Sequence, residues 1–496
     1  MNLGEALKKE ANWSVTENGA EALVSTGSSL LDFYGSLGNY RTTPVDRITA
    51  DFDKAYTEDA LIATKLLFYC RDARGGVGER QTFRKILRHL GENYPEVAKK
   101  NIPIVGYFGR FDDLYSLIGT KSEDAMWEFM KEQFEQDVEN MEAGKPCSLL
   151  AKWIKTPDAF LETTKALGKL TAKKLGYGRN KQMYFKRKLK ALRKYIGIVE
   201  PYVYTRQFEM IDYSKMPGKA LMRYKSIIEK YDSKRYSDYL DSVNKGEAKI
   251  NSSVVTPYDV VRNYFSNNMS NIRRQKDDTV ETMWKNLPDY IDKEKAKNSI
   301  VICDTSGSMY GDNAIVVALA LTIYAAERNT GFFKDHFITF SHNPHIQSLE
   351  GATLLQRINN LSRADWGMDT NIEKVMNLLL DVAKKNNVPA DEMPVAITIV
   401  SDMQFNCACT GNRGTTYIEK FREMYREAGY ELPNIIFWNV RNSKSVFHTN
   451  KDENNVQLAS GCSASVFADV IKSMNMSPYE AMMNVISNPR YDVVQV

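Results

Sequence analysis

Hydrophobic residues in roughly the first 297 positions of the chain recur mostly at helical spacing, and β-branched runs are few. Amphipathic segments alternate with glycine, proline and asparagine turns, which predicts helices that include residues 112–118, 123–141, 161–175 and 184–196. No fixed-period repeat is evident, so a regular solenoid is not demonstrated. The pattern predicts an all-α N-terminal region, built as a bundle or as HEAT-like helical repeats.

From Asn298 onward, short apolar strands alternate with helices. The predicted strands are Ile300–Cys303, Phe337–Phe340, Val395–Val400 and Ile435–Val440. The predicted helices are Ala314–Arg328, Ile372–Ala383, Tyr417–Ala428 and Ser465–Met474. This alternation indicates βαβ units and an α/β, doubly wound, mainly parallel sheet.

These two patterns divide the chain into domains. We expect a helical domain over residues 1–290, an α/β domain over residues 291–475 and a C-terminal helix over residues 476–496 that packs back. The charged segment 276–297, which contains Pro288, is interpreted as the linker between the first two domains.

The composition of the 496 residues is that of a globular protein, with 43% hydrophobic and 26% charged residues. Collagen-like and wholly disordered classes are therefore excluded. Six scattered cysteines favour a reducing compartment over a disulfide framework. The longest apolar run, Ala314–Ala326, is short for a membrane span, and the first residues lack the apolar stretch of a signal peptide. We expect a cytoplasmic protein that does not enter a membrane.

Oxygen-bearing side chains follow the predicted strands at the edge where ligands of doubly wound sheets bind. Five residues form this set: Asp304, Ser306 and Ser308 after the first strand, Thr370 before the Ile372 helix, and Asp402 after the third strand. Carboxylates and hydroxyls suit Mg²⁺ or another divalent cation that keeps several waters. Hydroxyl ligands leave the ion under-neutralised, so it can attract an acidic side chain of a protein partner. The alternative is that Asp304 and Ser306 only cap the following helix or shape a turn.

These residues match the metal-ion-dependent adhesion site (MIDAS) of the von Willebrand factor A domain, and the resemblance covers roughly residues 298–474. It implies that Ser306, Ser308 and Thr370 ligate the metal directly, and that Asp304 and Asp402 ligate it directly or through water. The chain departs from the commonest form of the motif because Asp402 is followed by Met403, where many such domains have glycine.

The formal charge of +4 averages over segments of opposite charge. The segment Lys152–Lys194 carries fourteen bases and two acids. Such an excess is the electrostatic footprint of a phosphate-backbone binder, and the candidate RNA-binding residues are Lys165, Lys169, Lys173, Arg179, Lys181, Lys186, Arg187, Lys190, Arg193 and Lys194. Three interleaved aromatic residues, Trp153, Tyr177 and Tyr184, can stack on bases if they face outward. The alternative is a solvated face, or one paired with the acidic segment Lys121–Lys145.

Four N-terminal motifs resemble a family that combines a TROVE-like helical region with a von Willebrand factor A domain: RDARGGVGER (71–80), GRFDDLYSLIG (109–119), SLLAKWIK (148–155) and YFKRKLKALRKYIGIVE (184–200). VICDTSGSM, SDMQFN and IIFWNVR match its second half. That family is remotely similar to the Ro autoantigen, whose ring of helical repeats binds small non-coding RNAs and the ends of misfolded RNAs. The resemblance implies RNA binding by analogy.

No Ser-His-Asp or Cys-His arrangement can be assembled, and the metal motif brings no general base because Asp304 and Asp402 lie near the cation. The predicted function is a non-enzymatic ribonucleoprotein component that binds small or structured RNA and holds Mg²⁺ in an A-like domain. The alternative is a metal-dependent protein–protein adhesion or assembly module without RNA. Metal-assisted hydrolysis of phosphate esters is a third, less favoured class.

Overall fold

The computed structural model describes residues 11–265, 272–340, 344–363, 370–406, 416–441 and 445–496, together with Leu3, Leu7 and, for Arg179, the backbone alone. In these residues a short hairpin and a long helical region precede a six-stranded α/β sheet. The predicted combination of a helical N-terminal region with a C-terminal α/β region is confirmed at this level.

The N-terminal hairpin pairs β1 (Trp13–Val15) with β2 (Glu21–Leu23). The first helices after it are α1 (Ser29–Ser36), α2 (Val45–Glu58), α3 (Ala60–Arg71), α4 (Arg80–Asn93), α5 (Pro95–Asn101), α6 (Val105–Phe108) and α7 (Glu123–Glu142). The helical region continues with α8 (Leu150–Trp153), α9 (Glu162–Lys174), α10 (Gln182–Tyr195), α11 (Glu200–Thr205), α12 (Gly218–Tyr231), α13 (Ser233–Asn244), α14 (Pro257–Val261) and α15 (Asp278–Lys285).

Local signals explain where these helices form. Helix α3 begins at Asp59, whose carboxylate accepts the N–H of Ile62 at 2.8 Å and so satisfies one free donor of the first turn. The spacing of Phe185, Leu189, Leu192 and Ile196 predicts one apolar stripe on a helix, and α10 buries the first three of these residues.

The α/β unit, residues 298–475, contains six strands. They are β3 (Ile300–Cys303), β4 (His336–Thr339), β5 (Ile346–Ser348), β6 (Ala396–Ser401), β7 (Asn434–Asn439) and β8 (Val456–Ser460). Its helices are α16 (Ala314–Arg328), α17 (Leu354–Ser362), α18 (Ile372–Asn386), α19 (Tyr417–Glu427) and α20 (Ser465–Lys472), and α21 (Pro478–Ile486) follows.

The sheet order is β5-β4-β3-β6-β7-β8, with β5 antiparallel and the other strands parallel. The direction of winding therefore changes between β3 and β6, which is where doubly wound sheets bind ligands. The sequence pattern predicts neither β5 nor β8. Strand β5 has three half-buried or exposed residues, and β8 carries the polar Gln457, which is buried because its amide donates to the carbonyl oxygens of Ser473 and Met476.

Both faces of the sheet are covered, as the apolar strands require. Ile300 and Ile302 face a core shared with α18, α19 and the first half of the helical region. Val301 and Cys303 face a second core shared with α16, α20 and the helices after residue 200. The two parts of the helical region thus contribute to cores on opposite faces of one sheet.

One segment, Gly307–Arg328, is long and apolar enough to cross a membrane by length and composition, with a mean hydropathy of 1.4. In the fold 78% of its apolar window is buried, and α16 packs against β3, β4 and β6. It is the core helix of the α/β unit.

The segment interpreted as an inter-domain linker contains α15, so that interpretation is wrong for residues 278–285. Val280, Met283 and Trp284 are buried, and the Trp284 indole N–H donates to Glu327 at 2.6 Å. Charged residues dominate the composition of this segment, so its composition did not indicate a helix with one strongly apolar face. At the other end of the chain, α21 packs against α1, α3 and β8, and Arg490 pairs with the buried Asp72.

Candidate functional site

Two adjacent parallel strands bring the predicted carboxylates together. Cys303 of β3 lies opposite Val400 of β6, and the N–H of Asp304 donates to the Val400 carbonyl at 2.9 Å. Asp304 and Asp402 therefore leave the sheet at the same edge, at the point where the winding direction changes.

Asp304 is fully buried, and its carboxylate is hydrogen-bonded. One oxygen accepts the N–H of Ser306 at 2.9 Å, and the other accepts the hydroxyl of Ser401 at 2.5 Å. The hydroxyl oxygens of Ser306 and Ser308 lie 3.0 Å apart. Three of the five predicted ligands therefore form one hydroxyl and carboxylate cluster directly after β3.

Asp402 has an oxygen without a hydrogen bond. Its Oδ1 accepts the N–H of Gln404 at 3.2 Å, whereas Oδ2 is buried and accepts no hydrogen bond in the described part of the chain. The nearest cation there is Arg441, whose Nη1 lies 3.9 Å from Oδ2 and 2.7 Å from the carbonyl oxygen of Ser308. A buried carboxylate oxygen that accepts no hydrogen bond is costly, and a cation held at this position would offset that cost.

The pKa values of both carboxylates are perturbed in the same direction. Burial, and then repulsion from Asp402, raises the pKa of Asp304 to about 6 against the hydrogen bonds from Ser401 and Ser306. Burial also raises the pKa of Asp402 and the charge of Glu17 adds to this, while the nearby Ser308 hydroxyl, the Gln404 N–H and Arg441 oppose it. Burial is the main cause for both carboxylates, so each loses its proton less readily here than it would in water.

The predicted ligand Thr370 lies beside this cluster and is joined to it through the loop after β6. Its Oγ1 is 3.2 Å from the carbonyl oxygen of Gln404 and 2.9 Å from Oδ1 of Asn406, and its own carbonyl oxygen accepts the N–H of Asn406. Residues 364–369, which include the Asp369 of the same sequence segment, lie outside the described residues.

The donor set fits a hard divalent cation. It combines two carboxylates with the hydroxyls of Ser306, Ser308 and Thr370, all oxygen donors of the kind Mg²⁺ prefers. In the described ranges no three His, Cys, Asp or Glu side chains are close enough to hold one ion. Any cation held here therefore depends on hydroxyl and water oxygens as well as on the two carboxylates.

Met403, which follows Asp402 directly, has a backbone conformation that favours glycine. Met403 has a φ of 63°, in the left-handed region, although it is not glycine. Its side chain is buried, its N–H donates to Ser401 at 3.0 Å, and its carbonyl oxygen is 3.0 Å from Nε2 of His448. These contacts hold the turn that presents Asp402.

Sequence reasoning missed Ser401 and Arg441. Ser401 is the last residue of β6, and Arg441 lies two residues beyond the end of β7. Both positions follow from the rule that the carboxyl ends of parallel strands meet at one edge of the sheet. Nothing in the sequence indicated the contacts of the N-terminal hairpin with this edge.

The predicted RNA-binding segment lies on α9, α10 and the loops beside them. Several of its cations are engaged by other groups: Lys165 pairs with Glu162, Lys186 with Asp158, and Lys174 with Glu123 and Asp124. The Arg193 guanidinium donates to the carbonyl oxygens of Ala151 and Ile154, at the end of α8. Lys165, Lys186 and Arg193 are therefore poor candidates for phosphate contacts.

Six of the predicted residues are exposed and make no ion pair with any described residue. We call them the basic surface, which consists of Lys169, Lys173, Lys181, Arg187, Lys190 and Lys194. The side chain of Arg179, a seventh candidate, lies outside the described residues. Arg187, Lys190 and Lys194 follow one another at three- and four-residue spacing, so they share one face of α10.

The acidic segment Lys121–Lys145 contains the whole of α7 and neutralises little of this positive charge. Of the basic segment's described side chains, Lys174 alone forms ion pairs with it, through Glu123 and Asp124. The alternative in which the basic residues pair with α7 is thus realised at one position.

Comparisons with known proteins give two family matches. Residues 16–127 and 124–296 match "Domain of unknown function (DUF2828)", and together these matches cover more than half of the chain. The chain belongs to the DUF2828 family. Residues 298–488 match a second model, "Domain of unknown function (DUF7788)", so the two models meet just before β3. The chain is also 28% identical to "Uncharacterized protein L728" of Acanthamoeba polyphaga mimivirus, over 96% of this chain and 87% of that protein.

Proposed function

We propose that this protein is a cytoplasmic, non-enzymatic RNA-binding protein that contacts the phosphates of small or structured RNA through the basic surface. The observation that carries the proposal is the set of six exposed cations without ion pairs on and beside α9 and α10. Unpaired lysine and arginine side chains are free to release counterions from a phosphate backbone, which is the main source of affinity for nucleic acid.

Exposed aromatic residues lie within the same segment and suit unstacked bases. Phe160, in the loop before α9, is 97% exposed, and Tyr184 at the start of α10 is 53% exposed. Lys188 lies 5.0 Å from the centre of the Tyr184 ring, so a base stacked there would also meet a cation. Aromatic faces beside a cationic groove are typical of proteins that bind single-stranded nucleic acid.

The closing of the helical region into a ring, as in the Ro autoantigen, stays a prediction.

Ultraviolet crosslinking tests this proposal without assuming an RNA sequence. The full chain is mixed with a pool of random 20-nucleotide RNAs, irradiated and digested, and the crosslinked peptides are identified by mass spectrometry. We expect crosslinks to concentrate in peptides from residues 155–195, with Phe160 and Tyr184 among the modified residues. Crosslinks confined to other segments would contradict the assigned surface.

We further propose that the α/β unit is a von Willebrand factor A-like domain that holds Mg²⁺ or a similar divalent cation. The sheet order, with one antiparallel edge strand and the carboxylates at the winding change, supports this assignment. The buried Oδ2 of Asp402, which accepts no hydrogen bond in the described residues and lies 3.9 Å from Arg441, also supports a cation at this position. Asp304 and Asp402 would hold the ion together with the three hydroxyls, and a bound cation would supply positive charge that attracts a carboxylate.

Loss of the Asp402 charge is expected to remove cation binding. For Asp402→Asn we expect the affinity for Mg²⁺, measured by isothermal titration calorimetry, to fall on the order of 100-fold, because the amide supplies no negative charge. Asp381→Asn, on the exposed face of α18, removes the same charge away from the site and should bind as the parent does. Equal affinities for Asp402→Asn and the parent would place the cation elsewhere.

The second candidate function is a protein–protein adhesion or assembly module that works without RNA. The observation that favours it is the cluster of two carboxylates and several hydroxyls at one edge of the sheet, because a cation held partly by hydroxyls would keep positive charge for an acidic ligand. In that case a protein partner should be released by a Mg²⁺ chelator, and treatment with ribonuclease should leave the partner bound.

A further inference from the structure

The turn between β1 and β2 holds a glutamate, Glu17, against the candidate metal centre. Thr16 donates its hydroxyl to the carbonyl oxygen of Phe405 at 2.6 Å, and the N–H of Glu17 donates to Oε1 of Gln404 at 2.8 Å. Nδ2 of Asn18 donates to the carbonyl oxygen of Gln404 at 2.6 Å. The backbone of Glu17 is therefore fixed on the loop that immediately follows Asp402.

Further bonds attach the rest of the hairpin to the same edge of the sheet. Gly19 bridges to Asn406, and Leu23 exchanges two backbone hydrogen bonds with Phe447, in the loop after β7. Ala20 is fully buried beneath the turn. Contacts to the loops after two different strands make the hairpin a stable cover beside the site.

The Glu17 side chain itself is exposed, and its carboxylate makes no hydrogen bond or ion pair with any described residue. The backbone hydrogen bonds place Glu17 beside the edge of the sheet that carries Asp304 and Asp402, and in the described part of the chain Arg441 is the cation within 4 Å of Asp402. Like charges gathered in this way are unfavourable unless a cation offsets them.

We propose that Glu17 is an internal acidic ligand for the cation at Asp304 and Asp402, and that the bound cation fastens the N-terminal hairpin to the sheet. This inference rests on the proposed metal site. In the described residues no three acidic side chains lie close enough to hold one ion, so ligation by Glu17 requires its exposed side chain to rotate toward Asp402 when the cation binds. An acidic partner must then displace Glu17, so the hairpin controls access to the metal.

The test compares Mg²⁺ binding by the full chain and by three variants, using calorimetry and hydrogen–deuterium exchange of residues 13–23. For Glu17→Gln we expect Mg²⁺ to bind roughly 10-fold or more weakly. In the parent, Mg²⁺ should slow exchange of the hairpin amides, and in Glu17→Gln this protection should be lost. Glu128→Gln, at an exposed position of α7, removes the same charge and should match the parent in both measurements. The third variant, Asp402→Asn, should show neither binding nor protection.

The outcomes separate this inference from the metal proposal. If the parent binds Mg²⁺, Asp402→Asn does not, and Glu17→Gln binds as tightly as the parent or more tightly with unchanged protection, the role of Glu17 is overturned and the metal site stands. If the parent does not bind Mg²⁺, both are overturned. Because Glu17 is exposed, its variant should keep the circular dichroism spectrum of the parent.

Discussion

The affinity for single-stranded RNA is expected to fall on the order of 100-fold at 0.15 M salt when four cations of the basic surface become glutamine: Lys169, Lys173, Arg187 and Lys190. Each of these side chains is exposed and unpaired, so each is free to meet a phosphate. Glutamine keeps much of the side-chain length and its helix propensity, so the change acts mainly through charge. Fluorescence anisotropy with a labelled 20-nucleotide RNA measures the effect.

A matched variant controls for the overall charge of the chain. Lys230, Lys234, Lys245 and Lys249 are exposed on or beside α12 and α13, so their replacement by glutamine also removes four positive charges. We expect this variant to lose less than about 5-fold in affinity, since it changes only the long-range field. Equal losses in the two variants would show that net charge, not the basic surface, determines binding.

The largest loss of stability is expected for Asp113→Ala, at about 3–5 kcal/mol in the free energy of unfolding. Asp113 is fully buried and accepts hydrogen bonds from Nε of Arg71 at 2.7 Å, from Nε of Arg84 at 2.6 Å and from the N–H of Arg110 at 3.0 Å. Arg71 is itself buried. With alanine at position 113, the Arg71 guanidinium would stay charged and would have no counter-ion in the core between α3 and α4.

Urea denaturation followed by tryptophan fluorescence measures this loss. Asp124→Ala is the matched control, because its side chain is 97% exposed and its partner Lys174 lies on the surface. Exposed ion pairs contribute at most about 1 kcal/mol. If Asp113→Ala unfolded at the same urea concentration as Asp124→Ala, the buried network would not stabilise the fold as described.

This network gives a structural meaning to two of the motifs that carry the family resemblance. Arg71 begins RDARGGVGER, and Asp113 lies within GRFDDLYSLIG. The two motifs are far apart in the chain, and the buried ion pair between Arg71 and Asp113 joins them. Arg71 and Asp113 therefore stabilise the core of the helical region, whereas the charged residues of α9 and α10 are mostly exposed.

How far the site could be predicted depends on how local each contact is. Asp304, Ser306, Ser308 and Asp402 meet because parallel strands end at a common edge, and the strands themselves were clear in the sequence. Glu17 could not be found in this way, since it reaches the site across more than 380 residues of chain. Strands of three residues such as β1 and β5 are too short to show the periodicity from which pairing could be predicted.

The basic segment shows the same limit for surfaces. Helical spacing correctly predicted that Phe185, Leu189 and Leu192 face inward. It could not predict that the guanidinium of Arg193 would bind the carbonyl oxygens at the end of α8, because that depends on which element packs beside α10. Similarly, the charge of residues 276–297 suggested a linker, although one face of α15 is apolar and buried.

The dependence of RNA affinity on salt tests RNA binding by the basic surface most directly. For the parent we predict that the logarithm of the association constant falls linearly with the logarithm of the salt concentration, with a slope of about −4, because six unpaired cations meet phosphates of a single strand. The variant of Lys169, Lys173, Arg187 and Lys190 should reduce this slope to about −1, and the α12–α13 variant should keep it. A parent that binds RNA with a slope near zero, or a slope that all three proteins share, would contradict the account.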